Sequence, residues 1–223
     1  MWQLYQFPLC PFSRKVRLLL GEKGVSYELV EEIPWVAGDD FFQLNPAGRT
    51  PVLHNPQKNL TLMDSRAICE YFEETEDRAP MIVGTATNRA EIRRLVALFD
   101  ESFFADVTAP LLNERLRKPT FEKTSPDSGA VRAAMRMANG HLDYIDYLID
   151  TRPWLAGAQM SMADLAAAAQ ISVVDYLGGI DWAGHEQTRG WYSVFKSRPS
   201  FRPMLSERMG TIRPPAHYSD VNA

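Results

Sequence analysis

The fold of this chain is decided near its start by the stretch WQLYQFPLCPFSRKVRLLLGEKG, residues 2–24. Alternating apolar and polar residues predict a short strand over residues 2–7. Apolar side chains spaced three or four apart then predict a helix over residues 11–24, with Pro11 in its first turn. Cys10 therefore stands between the end of a strand and the beginning of a helix.

The following residues continue this alternation of strands and helices. Further elements are predicted in the order strand, helix, strand, strand and helix at residues 27–32, 39–44, 52–54, 60–63 and 65–75. The whole order, strand-helix-strand-helix-strand-strand-helix, predicts a small α/β layer.

A polar stretch at residues 76–86 is suited to a linker, and the chain beyond it is predicted to be helical. Helices are predicted at residues 87–117, 128–150, 161–177, 188–197 and 201–208. Pro110 should bend or split the first of these helices. The domain organisation predicted is therefore an α/β domain at residues 1–77, an all-helical domain at residues 86–209 and an extended tail at residues 210–223.

Composition excludes several classes of protein. The chain has 223 residues, of which 45% are apolar and 23% charged, so it is predicted to be globular rather than disordered. Its net charge of −4 argues against nucleic-acid binding. The two cysteines favour a reducing cytoplasm over a disulfide framework, and the four histidines lack metal-ligand spacing, so no metal is expected. Neither a membrane-spanning run nor a signal peptide is predicted.

Cys10 and Ser13 are the candidate catalytic residues. A thiol at a helix N-terminus faces backbone N–H groups and the positive end of the helix dipole, and both favour the reactive thiolate. Ser13 stands where a Cys-x-x-Cys pair would have its second cysteine, so only monothiol chemistry, such as exchange with glutathione, is open to this motif. A half-buried cysteine that merely caps the helix explains the same residues equally well.

Two further motifs flank predicted strands. Thr50-Pro51 comes directly before the third predicted strand, and Asp64-Ser65 stands at a strand-to-helix turn. At such a turn the two side chains either cap the exposed N–H groups of the helix or help its N-terminus to bind an anion.

Together these motifs resemble the glutathione S-transferase (GST) superfamily along essentially the whole chain. The resemblance implies a thioredoxin-like first domain, a cis peptide bond before Pro51 and a helical second domain. It also implies a glutathione site with Thr50 and Pro51 at the tripeptide backbone and Asp64 and Ser65 at its γ-glutamyl end. The segment SMAD, residues 161–164, is similar to the helix-capping signature of the family and is expected to serve folding.

A narrower resemblance is to the FtsZ-binding, GST-like cell-division proteins of alphaproteobacteria. It is carried by QFPLCPFSRKVR (residues 6–17), Trp35, APLLNER (residues 109–115) and IRPPAHYSD (residues 212–220). It implies a homodimer that binds FtsZ filaments and adjusts constriction in the cytoplasm at the division site. The candidate partner-binding residues that follow from it are Trp35, Arg213, His217, Tyr218 and Asp220.

Alternatives stay open at this stage. Physics alone favours a tail that folds back on its own subunit, whereas the resemblance favours a partner contact. Trp35 fits a loop-pinning core residue as well as a contact residue. The basic cluster of Arg14, Lys15 and Arg17 is expected to be a solvated helix face, although it could attract acidic substrates. The alternative function is a glutathione-dependent transferase or monothiol reductase that uses Cys10 and takes glutathione as substrate, with no other cofactor.

Overall fold

A computed structural model describes residues 1–210 and 212–221 of the chain, so residues 211, 222 and 223 of the predicted tail lie outside the described part. Its first part is an α/β layer whose elements follow the predicted order. The strands and helices are β1 (Trp2–Gln6), α1 (Pro11–Lys23), β2 (Tyr27–Glu31), α2 (Asp39–Leu44), β3 (Val52–Asn55), β4 (Leu60–Met63) and α3 (Ser65–Thr75).

The strands form one mixed sheet in the described residues, with the order β2-β1-β3-β4. β1 and β2 pair in parallel and are connected through α1, whereas β3 pairs antiparallel with both β1 and β4. A parallel pair needs a crossover of this kind, because a tight turn can join only antiparallel strands. The antiparallel pairing of β3 with β1 places the beginning of β3 at the end of β1, and α1 begins at this same end of the sheet.

The second part is helical, as predicted. Its elements are α4 (Ala86–Ala97), a π-helical segment (Leu98–Thr108), α5 (Ala109–Leu112), a second π-helical segment (Asn113–Glu122), α6 (Ser128–Asp150), α7 (Met162–Tyr176), α8 (Glu186–Ser197), α9 (Arg202–Ser206) and a 3₁₀ turn (Ala216–Ser219). In the described residues, the structure contains no helix long and apolar enough to cross a lipid bilayer.

The long helical stretch passes through Pro110 without a break, so of the expected bend or split, the split does not occur and the bend stays a prediction. The hydrogen-bond pattern changes there instead: the N–H of Ala109 donates to the carbonyl of Phe104, a bond across five residues. Wider π turns before Ala109 give way to α turns at Pro110, which lies in the first turn of α5, where a proline is tolerated.

The centre of the helical domain is α7, in which every residue is buried. Its N-terminus carries the predicted capping box. The backbone N–H and the hydroxyl of Ser161 both donate to Asp164, at 2.9 and 2.8 Å. Asp164 also accepts from the backbone N–H of Leu155 and from the indole of Trp191, which joins α7 to α8 and to the preceding loop.

The basic cluster of α1 is buried, so the expected solvated helix face is wrong. Arg14, Lys15 and Arg17 are almost completely covered. α1 packs against α3 of its own domain and against α7 of the helical domain, so its charged side chains reach acceptors at the domain interface. Lys15 forms an ion pair with Asp100, and Arg17 forms one with Glu207.

Candidate functional site

A cleft of about 370 Å³ opens between the two domains, where α1, β3 and α3 begin. Its lining includes the four residues predicted to bind glutathione, which are Thr50, Pro51, Asp64 and Ser65. The peptide bond between Thr50 and Pro51 is cis, as the family resemblance implies. The sheet topology therefore brings together four residues from two separate motifs.

Cys10 lies beside this cleft and caps α1. Its Sγ accepts a hydrogen bond from the backbone N–H of Ser13 at 3.4 Å and donates to the carbonyl of Thr50 at 3.5 Å. The described lining of the cleft includes neither Cys10 nor Ser13. Phe12 lines it instead, with its ring tilted against that of Phe104 at a centroid distance of 4.8 Å. The geometry thus fits a capping thiol, and a catalytic role for Cys10 stays a prediction.

The hydroxyl of Ser13 and the thiol of the second cysteine, Cys69, are less accessible still. Ser13 is completely buried, and its hydroxyl has no hydrogen-bond partner among the described residues. Burial raises the pKa of Cys69 to about 12, which keeps its thiol protonated and unreactive at neutral pH. A catalytic role for Ser13 also stays a prediction.

Asp64 has a positive φ angle and caps the helix that follows it. Its φ of 71° is uncommon for a residue with a side chain. Its carboxylate accepts hydrogen bonds from the backbone N–H groups of Arg66 at 2.7 Å and Ala67 at 3.3 Å, so it is the N-cap of α3. Asp64 is exposed while Ser65 is buried, and both line the cleft at the helix N-terminus.

The described tail residues are anchored to their own subunit. Tyr218 is 0% exposed, so the expectation that its ring offers surface to a partner needs correction. Its hydroxyl accepts from Arg14 and donates to the carbonyl of Met204, at 3.1 and 3.3 Å. His217 lies with Nε2 2.8 Å from a carboxylate oxygen of Asp175, and its carbonyl accepts from Lys196.

Two other candidate contact residues of the tail do face solvent. Arg213 and Asp220 are both exposed. Arg213 and Arg208 line an open pocket of about 700 Å³, together with Pro214 and Pro215. The tail therefore combines a buried residue, Tyr218, with two residues that are accessible to a partner, Arg213 and Asp220.

The comparisons with known proteins agree with this architecture. The family model for the N-terminal domain of glutathione S-transferases matches residues 9–75. FtsZ-localized protein A of Caulobacter vibrioides is 42% identical over 221 residues, which are 98% of this chain and 97% of that protein. The chain belongs to the glutathione S-transferase superfamily. Within it, the chain is a homologue of FtsZ-localized protein A, so both levels of the resemblance are confirmed.

Solved structures of GST proteins extend this agreement to the arrangement of both domains. A glutathione S-transferase from Rhodospirillum rubrum F11 is 45% identical with a TM-score of 0.96, and the match covers 100% of each chain. FzlA from C. crescentus is 42% identical with a TM-score of 0.96 and covers 100% of this chain and 99% of that one. The GST fold is thus shown over both the α/β and the helical parts.

Trp35 is half-buried in this GST fold. Its ring packs against Phe7 and Phe121 with centroid distances of 5.2 and 5.1 Å, so it joins the end of β1 to the second π-helical segment. This contact is the loop-pinning role that the sequence left open. A contribution of Trp35 to partner binding stays a prediction.

Sequence reasoning missed the residues that receive the tail. Ser172 and Asp175 of α7 and Lys196 of α8 hold Arg14 and the tail through polar contacts. The signal available in the sequence was polar residues inside the very apolar α7, because a buried polar side chain needs a hydrogen-bond partner. The partner itself lies far away along the chain and could not be named.

Proposed function

We propose that this chain binds FtsZ filaments as a homodimer and regulates the constriction of the dividing cell. The observation that carries the proposal is the 42% identity to FtsZ-localized protein A, which extends over nearly the entire chain and is not confined to the common N-terminal domain. On this proposal the protein works in the cytoplasm at the division site.

Dimerisation would strengthen binding to a filament, because it raises the effective concentration of the second binding site. A filament presents the same site many times, so once one subunit of a dimer is bound, the second contact becomes intramolecular. Two weak sites thereby give strong binding without any new contact. A net charge of −4 does not oppose this, since a small basic surface at the tail can dominate the local field.

The tail supplies the proposed contact surface. Arg213 and Asp220 are exposed on a tail that is held to its own subunit by His217 and Tyr218, so the tail loses little conformational freedom on binding. Deleting the tail is a poor test of this surface, because deletion would also remove Tyr218 from Arg14 in the interior. Charge reversal at the exposed Arg213 tests this surface and leaves the buried contact between Tyr218 and Arg14 in place.

We expect Arg213→Glu to weaken co-sedimentation with FtsZ polymers by about tenfold, because the reversed charge replaces an attraction by a repulsion. The control is Lys58→Glu, which makes the same change of charge in the exposed turn between β3 and β4. Circular dichroism should show both variants folded. Equal binding of Arg213→Glu and Lys58→Glu would exclude Arg213 from the contact.

A second candidate function is glutathione binding in the cleft, favoured by one observation. The hydroxyl of Thr50 is buried beside the cis peptide bond and has no hydrogen-bond partner among the described residues. An unpaired buried hydroxyl is costly, and a small rotation of this side chain toward the cleft would let a polar ligand satisfy it. If the protein is an enzyme, its reaction is that of a glutathione transferase or of a monothiol reductase. As a reductase, the Cys10 thiolate would attack a mixed disulfide between glutathione and a substrate thiol, take up the glutathione as a Cys10 mixed disulfide and release the substrate thiol. A second glutathione would then attack that disulfide and leave as glutathione disulfide, which restores Cys10.

On this second candidate, isothermal titration with glutathione should show saturable binding to the wild type. Cys10→Ser should still bind, because the cleft lining does not include the thiol, but it should lose any glutathione-dependent activity. Absence of binding heat for the wild type would remove the glutathione candidate. It would leave the FtsZ proposal unchanged, since the tail lies on a different surface.

A further inference from the structure

Arg14 joins three separate parts of the molecule through one buried guanidinium group. Its Nε donates to the carbonyl of Pro8 at 2.7 Å, in the loop before α1. Its Nη1 donates to the hydroxyl of Ser172 on α7 at 2.8 Å and to the hydroxyl of Tyr218 on the tail at 3.1 Å. The group therefore connects the α/β domain, the core helix and the tail.

The burial of Arg14 makes the loss of any of these hydrogen bonds costly for stability. The side chain is completely buried, its described acceptors are neutral oxygens, and its Nη2 has no partner in the described part of the chain. A buried charge that already lacks one hydrogen bond has no water to replace another. The tail hydroxyl of Tyr218 thus carries part of the solvation of this cation.

The segment that includes Arg213 is fixed at both of its ends by tyrosine hydroxyls. Before it, the hydroxyl of Tyr176 donates to the carbonyl of Ile212 at 3.1 Å. After it, Tyr218 binds Arg14, and its ring packs edge-on against Tyr176 with centroids 5.2 Å apart. Between these points Pro214 and Pro215 restrict the backbone further.

We infer that Tyr218 is a positioning residue that acts through Arg14: their buried hydrogen bond holds the tail against both domains, so that the exposed Arg213 and Asp220 are presented in one orientation. The holding of the tail follows from the contacts of this chain itself, whereas its effect on a partner rests on the proposed function. The inference gives Tyr218 a role that requires no contact with the partner.

Tyr218→Phe tests the inference because it removes the hydroxyl and keeps the ring. The matched control is Ser172→Ala, which removes the other hydroxyl that accepts from the same Nη1 but leaves the tail untouched. Both variants should lower the Tm by a few degrees, since each deprives the same buried cation of a hydrogen bond. Hydrogen exchange of the backbone amides at residues 216–220 then distinguishes Tyr218→Phe from Ser172→Ala, because only the first variant removes a contact of the tail.

We expect exchange at residues 216–220 to become at least about tenfold faster in Tyr218→Phe, the size of change that follows from losing a hydrogen bond to a charged group. In Ser172→Ala these amides should exchange as in the wild type. Unchanged exchange in Tyr218→Phe, or equal acceleration in both variants, would overturn the inference.

Co-sedimentation with FtsZ polymers, measured on the same two variants, distinguishes this inference from the proposed function. Weaker binding of Tyr218→Phe than of Ser172→Ala, together with the faster exchange, supports both. Faster exchange with undiminished binding supports the anchoring of the tail and contradicts a role for the tail in FtsZ binding. Diminished binding without faster exchange contradicts positioning by Tyr218 and leaves the FtsZ proposal intact.

Discussion

Replacing Asp164 by alanine should lower the free energy of unfolding by about 3–5 kcal/mol, a large share of the roughly 5–15 kcal/mol that stabilises an ordinary domain. Asp164 is 0% exposed and accepts four hydrogen bonds. Burial raises its pKa, although these bonds oppose the shift. Its removal would leave the N–H groups of Leu155 and Ser161 and the indole of Trp191 unpaired in the core, where such groups are costly.

Urea denaturation of Asp164→Ala measures this effect, and Asp127→Ala is the matched control. Asp127 is also the N-cap of a helix, and its carboxylate accepts from the backbone N–H groups of Gly129 and Ala130. It is exposed, however, so water can replace these bonds, and its loss should cost only about 1 kcal/mol. If the two variants are equally stable, the buried capping box contributes no more than an ordinary helix cap.

The second large effect is expected at the ion pair that joins the two domains. Lys15→Met should lower the free energy of unfolding by about 3–5 kcal/mol, because it leaves the carboxylate of Asp100 buried without its cation. The two side chains are 1% and 4% exposed. The double variant Lys15→Met, Asp100→Leu should recover much of the loss, since neither charge then remains in the interface.

An exposed pair nearby provides the control for this prediction. Arg66 and Glu101 also join the two domains, at 2.8 Å, but their side chains are 53% and 58% exposed. Arg66→Met should therefore change the free energy of unfolding by at most about 1 kcal/mol. Thermal and urea unfolding of the three variants would contradict the argument if the double variant is less stable than Lys15→Met.

Much of the fold could be predicted because local patterns encode it. Apolar periodicity placed α3 and α6 at the residues where the structure has them, and the box formed by Ser161 and Asp164 was expected from the similarity of this segment to the family's helix-capping signature. Pro110 shows the limit of local rules. A proline breaks an α-helix in isolation, but here the preceding turns are wider and accommodate it.

The candidate site was predicted as a set of residues but not as a geometry. The family resemblance named Thr50, Pro51, Asp64 and Ser65, and the sheet brings all four to one cleft. It could not predict that Cys10 would bond the carbonyl of Thr50 beside that cleft. The accessibility of a thiol depends on how neighbouring elements pack, which no spacing of residues in a motif reports.

The sequence by itself determined the order of the elements, the caps of the helices and membership of the glutathione S-transferase superfamily. Only the tertiary structure decided that the basic side chains of α1 are internal and that Tyr218 is buried with its hydroxyl bonded to Arg14. Lys15 pairs with a residue 85 positions away, and Arg14 with one 204 positions away. The physical reason is that a periodic pattern indicates which faces of a helix can be buried. The partner that makes burial of a charge tolerable is set by packing between segments distant along the chain.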